Sequence, residues 1–346
     1  MIPDFATRLL AWFDRHGRHD LPWQHRRTPY RVWLSEVMLQ QTQVAVVIPY
    51  FRRFVAAMPS LPALAAAPLD EVLALWSGLG YYSRARNLHA AARLCASRHD
   101  GELPDELDAL IALPGIGRST AGAILAQARG QRTPILDGNA RRVLARHAGI
   151  AGWPGSPAVE KRLWALAESL LPATRMADYT QAQMDLGATV CTRHAPRCDA
   201  CPVAADCVAR VEGRTAEFPT PRPSRVVPLR HAVMLVATDC EGRILLQRRP
   251  PTGVWASLWS LPQFDEASAA HEWSKVHLDG DWRQAREAGP VMHGFTHYRL
   301  RITPLHWRDV RPRDAVRDND GLRWARREEL ASIGLPAPVR RLVEER

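Results

Sequence analysis

The chain has 346 residues and carries 46 Lys and Arg against 36 Asp and Glu, a formal charge of +10. That length can support two separate cores, and the basic balance favours a polyanionic partner over an acidic one. No stretch approaches a membrane span and Met1-Ile2-Pro3-Asp4 lacks an apolar signal core, so no membrane partner and a cytoplasmic location are expected.

Asp4 to His16 reads as an amphipathic helix with Phe5, Leu9, Trp12 and Phe13 on one side and Gly17 as its stop. Leu21-Pro22-Trp23 is an extended link. Thr28-Pro29 then supplies an N-cap and an N1 proline for a helix expected to run from Pro29 to about Val47. Glu36, Gln40 and Gln43 fall at i, i+4 and i+7 of that helix, a polar stripe on an apolar background. Such a stripe is ordinarily a solvated face. An acid hemmed in by Trp33, Val37 and Leu39 and facing a cleft would instead have its pKa raised by desolvation, as a general acid requires.

Helical patterns continue at about 61–67, 69–77, 83–98 and 104–112. Gly78-Leu79-Gly80-Tyr81-Tyr82 is a kink that presents two aromatics on a backbone read as flexible. Aromatics at such a turn are usually core, but on a DNA-facing surface they can wedge between bases.

Leu113 to Asp137, LPGIGRSTAGAILAQARGQRTPILD, is the stretch with the densest grammar. Pro114-Gly115-Ile116-Gly117 ends one helix, and Ser119 or Thr120 is expected to cap the next. A hairpin of this kind directs backbone N–H groups and a helix N-terminus at one spot, a seat for a phosphate. The strip Pro134-Ile135-Leu136 then delivers Asp137, just before Gly138, Asn139 and a basic helix, Ala140 to His147. Helices follow to about Val190.

Four of the six cysteines, Cys191, Cys198, Cys201 and Cys207, crowd into seventeen residues with spacing C-x6-C-x2-C-x5-C. In a reducing compartment this pattern binds metal more often than it forms disulfides. Four thiolates suit a tetrahedral zinc or a cuboidal iron–sulfur cluster, and spacing alone leaves both open. Residues 211–227 hold a proline-rich linker. Beyond it the pattern changes to strands, with His231–Ala237 and Arg243–Gln247 expected to form a hairpin around Asp239-Cys240-Glu241-Gly242. Short helices are expected around Arg326–Ile333 and Ala337–Glu345.

LPW at 21–23, SEVMLQQTQV at 35–44, GLGYYSRARNLH at 78–89, LPGIGRSTAGAI at 113–124, ILDGNARRVLAR at 135–146 and the four-cysteine spacing together resemble the MutY-type adenine DNA glycosylases. The resemblance runs from about residue 5 to the end of the chain. It implies a multidomain protein: an all-α helix-hairpin-helix body at 1–210 with its cluster loop at 191–207, a linker at 211–227, and an α+β Nudix-like domain at 228–346. It implies a base-excision enzyme that acts on double-stranded DNA, hydrolysing the N-glycosidic bond of adenine mispaired with 8-oxoguanine or guanine. The enzyme would work as a monomer near the nucleoid, with protein partners left open.

By the same resemblance Glu36 is the general acid, Asp137 stabilises the sugar cation and Asn139 assists it. Gln41 and Tyr81 insert into the stack, Trp23, Leu39 and Gln181 border the adenine pocket, and Gly115, Gly117 and Ser119 belong to the DNA-gripping hairpin. The four cysteines hold a [4Fe–4S] cluster. Phe295, Thr296 and His297 match a loop that senses the oxidised guanine, with Thr296 where serine is usual. Relatives that also cut the strand carry a lysine where this chain has Ser119, so a monofunctional enzyme is expected, a Schiff base needing an amine. The segment after RRPPTGVWASLWSLPQF (248–264) lacks the acid series of a working Nudix hydrolase. Two further readings remain at this point, an endonuclease III-like glycosylase-lyase and a catalytically silent DNA-damage sensor using its cluster as a redox probe.

Overall fold

The structure, a computed structural model, describes residues 4–223, 226–313 and 321–344. Within them the first two-thirds of the chain is helical: α1 (Phe5–His16), α2 (Pro29–Leu39), α3 (Val44–Ala57), α4 (Leu61–Ala66), α5 (Leu69–Leu75), α6 (Ser83–Arg98), α7 (Leu107–Ile111), α8 (Arg118–Arg129), α9 (Gly138–His147), α10 (Pro157–Ser169), α11 (Met176–Thr189) and the short α12 (Val208–Val211). Strands follow, β1 (Leu229–Ala237), β2 (Ile244–Arg248), β3 (Trp259–Ser260) and β4 (Gln263–Phe264), then α13 (Ala267–His277). The remainder is β5 (Leu278–Asp279), β6 (Arg286–Glu287), β7 (Val291–Gly294), β8 (Arg299–Trp307), β9 (Arg311–Pro312), β10 (Leu322–Ala325), a 3₁₀ turn (Arg327–Ser332) and α14 (Ala337–Glu344). Glu345, to which the last helix was expected to extend, lies outside the described residues, as do Ser224 and Arg225 of the linker.

The chain forms two compact units, Met1–Ala66 with Ala90–Ser224, and Ala67–His89 with Arg225–Arg346. In the first, the apolar face of α1 closes on α9, α10 and α11: Phe5, Leu9 and Phe13 share a core with Leu144, Leu163, Tyr179 and Leu186. Asp4 caps α1 by accepting from the Thr7 N–H at 2.7 Å. Thr28 caps α2, as its position before Pro29 requires.

The single helix expected over 29–47 is two helices. Gln41 sits at φ 58, and this left-handed residue ends α2 before Gln43 starts α3. Gln40 and Gln43 therefore leave the stripe, and only Glu36 remains on the helix. The cap of α8 also differs from expectation. Gly117 is its N-cap and no side chain bonds there, because the Ser119 hydroxyl instead accepts the Leu136 N–H at 3.0 Å. The hairpin's turn uses Gly115 at φ 78, a conformation that costs glycine little.

The second unit is built on a five-stranded sheet in the order β4-β1-β8-β6, with β7 also pairing β8. β1 and β8 run parallel from Leu229↔Arg299 to Ala237↔Trp307. Both faces of β1 are covered, as central parallel strands demand. Ala232, Met234 and Val236 pack with Val339 and Leu342 of α14, whereas Val233, Leu235 and Ala237 pack with Ala270 of α13 and with Trp307. The hairpin expected between β1 and β2 reduces to one bridge, Thr238↔Ile244, closed by a turn at Asp239. Beyond it the strands diverge, β2 joining β10 and β3 in a separate sheet. The run of apolar residues on both strands, Val233–Ala237 and Ile244–Leu246, lets each be buried in its own sheet. That is why turn chemistry alone misassigned the pairing.

Candidate functional site

The acid expected on α2 is where its neighbours make it unusual. Trp33, Leu34 and Val37 around Glu36 are buried in the core. The Glu36 carboxyl accepts one hydrogen bond, from the Gln127 Nε2 of α8 at 3.3 Å. Burial is the main cause that pushes its pKa up to about 8, and the charge of Asp137 adds to it, while the Gln127 bond works the other way. A carboxyl held in this way is protonated at neutral pH.

Asp137 is tied down by the opposite kind of environment. It is the N-cap of α9: its Oδ1 accepts from the Ala140 N–H at 2.8 Å and its Oδ2 from the Asn139 Nδ2 at 3.1 Å. Its negative charge lies at a helix N-terminus, where the backbone favours an anion. The strip that carries it is pinned to α8. Ser119 holds Leu136, the Thr133 hydroxyl bonds the Gly122 carbonyl at 2.9 Å, and a Cβ on Gly122 would come within 2.3 Å of the Pro134 oxygen. Only glycine at 122 allows the strip to lie that close.

The remaining expected residues divide between the two units. In the first, Trp23 is buried edge-on against Phe51 with ring centroids 5.5 Å apart. Leu39 is half-buried at the end of α2, and Gln41 is exposed at its left-handed turn. Gly115 and Gly117 are exposed in the hairpin, where α8 begins without a side-chain cap. Gln181 is buried on α11 and donates its Nε2 to Asp185 at 2.8 Å, while its Oε1 is buried and makes no hydrogen bond. In the second unit, Tyr81 is 49% exposed, and Thr296 and His297 form the exposed tip of the β7–β8 turn, closed by the Phe295 N–H to the Tyr298 carbonyl at 2.9 Å. Tyr82, expected to be presented beside Tyr81, is buried instead.

Tyr81, Phe295, Thr296 and His297 line one cleft of about 360 Å³, together with Trp255 and Gly80. Phe295 is its aromatic centre, 5.4 Å from Trp255, 4.7 Å from His293 and 4.5 Å from Tyr298, ring to ring.

Cys191, Cys198, Cys201 and Cys207 line one cavity with Val190, Ala204 and Arg146, and all four are free thiols. Among the described residues no three His, Cys, Asp or Glu side chains converge closely enough to hold a single ion. Four sulfurs around one cavity are a donor set that suits a cuboidal iron–sulfur group or a tetrahedral zinc. Arg146, buried on α9, donates Nη1 to the Cys191 Sγ at 3.3 Å and binds the carbonyls of Thr192, Arg193, Thr215 and Phe218. One guanidinium thus closes the loop and places a positive charge beside the Cys191 sulfur.

Several residues that build the site were not singled out from sequence. Gln127 is an amide inside the apolar run AILAQAR, which is the signal that could have found it. Arg142 donates to the Asn139 Oδ1 at 2.8 Å, the Gly187 carbonyl at 2.6 Å and the Cys191 carbonyl at 2.7 Å, joining the cysteine loop to the neighbour of Asp137. Asp185, 1% exposed, gathers the Arg18 backbone and guanidinium as well as Gln181. The i, i+4 pair Gln181–Asp185 was legible, but its partner 167 residues earlier was not.

Residues 34–169 match the model of the HhH-GPD superfamily of base excision DNA repair proteins, and residues 233–345 match that of the NUDIX domain. The helical hairpin, the enclosed acid and the thiol-lined loop therefore belong to a base-excision repair glycosylase. A solved thermostable thymine-DNA glycosylase has the same body, with 28% identity and a TM-score of 0.55 over 60% of this chain and 95% of its own. The adenine DNA glycosylase of Buchnera aphidicola (Acyrthosiphon pisum strain APS) is 35% identical over 98% of this chain and 97% of its own. The human adenine DNA glycosylase is also 35% identical, over 99% of this chain and 73% of its own. This chain belongs to the adenine DNA glycosylase family. No helix among the described residues is long and apolar enough to cross a membrane.

Proposed function

We propose that the protein removes adenine mispaired with 8-oxoguanine or guanine in duplex DNA, with Glu36 as general acid and Asp137 as stabiliser of the sugar cation. The observation that carries this reading is the pairing of unlike carboxyls in one body. Glu36 is half-buried among apolar side chains and protonated at neutral pH, with its pKa raised to about 8, while Asp137 caps a helix with both oxygens engaged. Glycosidic cleavage uses two carboxyls in such contrasting environments for contrasting roles.

The adenine must first leave the stack. Gln41 and Tyr81, both exposed on left-handed turns, are the residues that enter the gap. The base is received among Trp23, Leu39 and Gln181, where the unbonded Gln181 Oε1 accepts from its amino group. Glu36 gives its proton to a ring nitrogen, the bond from the sugar to the base breaks with its electron pair going to the base, and positive charge grows on the sugar beside Asp137. Asn139 holds the Asp137 Oδ2 in place. Water then adds its hydroxide to the sugar and returns its proton to Glu36.

The uncapped hairpin at Gly115 and Gly117 grips a backbone phosphate through main-chain N–H groups. Cys191, Cys198, Cys201 and Cys207 hold a [4Fe–4S] cluster, which when bound supplies a rigid cross-link for the basic loop and a one-electron redox centre. Phe295, Thr296 and His297 test the base opposite the adenine. The chemistry ends at hydrolysis, because Ser119 is bonded into the Asp137 strip and both lysines lie on other helices, Lys161 on α10 and Lys275 on α13.

Duplexes carrying A opposite 8-oxoguanine, G, C and T, treated with alkali after single-turnover incubation, test the whole reading. Cleavage is expected only opposite 8-oxoguanine and G, with little adduct trapped by borohydride. Equal cleavage opposite all four, or efficient trapping that disappears in Lys161→Ala, would overturn it.

A further inference from the structure

The four-residue turn that carries Tyr81 is not a free loop. Its own segment locks it first. Gly78, Gly80 and Tyr81 take φ of 101, 73 and 48, and the Gly80 carbonyl accepts from the Trp76 Nε1 at 3.1 Å and the Arg84 Nη2 at 3.2 Å. The Arg84 guanidinium lies over both the Trp76 and the Tyr81 rings. A left-handed tyrosine is strained, and it persists only where its surroundings over-determine it.

The two residues flanking the turn are then fastened to one short stretch of the sheet unit. Before the turn, Ser77 Oγ accepts from the Arg340 Nη2 of α14 at 3.0 Å, and the same nitrogen reaches the carbonyls of Leu330 and Ile333. After it, the buried Tyr82 hydroxyl donates to the Leu335 carbonyl at 2.8 Å. Two outer ties complete the mount, the Asp70–Arg248 ion pair at 2.7 Å and the Arg86 guanidinium on the Ala256 carbonyl at 2.9 Å. Leu73 meets the same stretch, a Cβ on Gly334 falling 3.1 Å from its own.

We infer that Arg340 and Tyr82 are positioning residues that set the Tyr81 turn at a fixed distance from the Phe295–Thr296–His297 loop, so that wedge and sensor act on the opposite base as two walls of one cleft. This rests on the sensing role proposed above for that loop. An 8-oxoguanine is preferred only when the walls are held in register, because its extra oxygen and ring N–H are read by contacts that tolerate little displacement. If the mount loosens, stacking on Tyr81 is still available to any purine, and the discrimination is what is lost.

The test is the ratio of single-turnover excision opposite 8-oxoguanine to that opposite guanine, measured at one salt concentration on the full-length protein. Tyr82→Phe keeps the ring and removes the hydroxyl's bond to Leu335 together with its longer contact to Ser77 Oγ, and Arg340→Ala removes the other clamp. Each is expected to lower the ratio about three- to tenfold, the equivalent of one net hydrogen bond. Ser77→Ala and Arg340→Ala share one contact, so the double variant should fall by less than the sum of the two single ones. Arg340→Lys should recover part of the ratio.

Equal losses on both substrates, or a ratio that stays at the wild-type value in folded Tyr82→Phe and Arg340→Ala, would overturn the inference and leave the sensing loop standing. If Thr296→Ala and His297→Ala also leave the ratio untouched in a wild-type background that does discriminate, the sensing role itself falls, and the mount with it.

Discussion

On the proposed mechanism the charge state of one side chain governs the chemistry. With its pKa near 8, Glu36 is a loaded acid at neutral pH, and it empties as pH rises through that value. Excision should therefore be level below about pH 7 and fall above 8, as single-turnover rates across that range would show. Glu36→Gln cannot donate and should lose on the order of 10²- to 10⁴-fold in rate while mismatch binding is retained. Asp137→Asn removes the charge facing the sugar cation and should be similarly impaired. Stability falls in the same direction but over a lower window. Between the ordinary carboxyl value of 4.5 and about 8 the unfolded chain has released a proton that the folded one keeps, so folding weakens as pH rises through that window. Glu36→Gln should therefore be more stable than wild type at pH 8, by on the order of 1 kcal/mol or more, with the advantage shrinking toward pH 5. Urea unfolding at both pH values measures it, and an advantage that does not shrink would show that the carboxyl is not held protonated by the fold.

At the scale of elements, the site depends on how closely α11 and α9 approach. A Cβ at Gly187 would stand 2.5 Å from the Asn139 Cβ and 2.9 Å from its Cα, and the Gly187 carbonyl is one of the acceptors of Arg142. Gly187→Ala should cost about 1–3 kcal/mol through overpacking and slow excision by displacing the partner of Asp137. A melting temperature and a single-turnover rate both at wild-type values would refute that dependence. The cysteine loop makes a second element-scale expectation. The purified protein should be brown with about four irons per chain, and Cys198→Ser should lose iron and solubility. An iron-replete, active Cys198→Ser protein would remove that residue from the ligand set.

Elements were also where the sequence was most and least legible. Thr28 caps α2 as read from its place before Pro29, because capping is a local choice between a side chain and the next turn. The same logic missed the caps at Asp4 and Asp137 and misplaced that of α8, where Gly117 stands instead of Ser119 or Thr120. The break at Gln41 was hidden, since nothing in QQTQV forbids a helix and only packing selects the left-handed turn. The ties of Asp185 to Arg18 and of Arg340 to Ser77 span 167 and 263 residues, beyond any pattern of spacing.

For the whole molecule, the grouping of residues 67–89 with the sheet unit changes what a truncation removes. A protein ending after Pro221 keeps Glu36, Asp137, the hairpin and the cysteines, and should still remove adenine opposite guanine. It loses Thr296 and, in the same cut, the Arg340 and Leu335 anchors of the Tyr81 turn. Its preference for 8-oxoguanine should fall by about tenfold or more. Full discrimination by the truncated protein at equal salt would place sensing in the catalytic body.

The enclosure of the Glu36 carboxyl also gives the experimenter an alkaline window. The basic charge of the chain is carried almost wholly by arginines, the most basic of side chains, since Lys161 and Lys275 are the only amine side chains. The proton that breaks the bond is gone by about pH 9 to 10, a unit or two above the acid's pKa. In that interval the unmutated protein should hold its unmutated substrate with the adenine intact, shifting the duplex on a gel without releasing base. Returning the complex to pH 7 should then start the reaction on molecules that are already bound, so that the chemical step is timed apart from the search for the mispair.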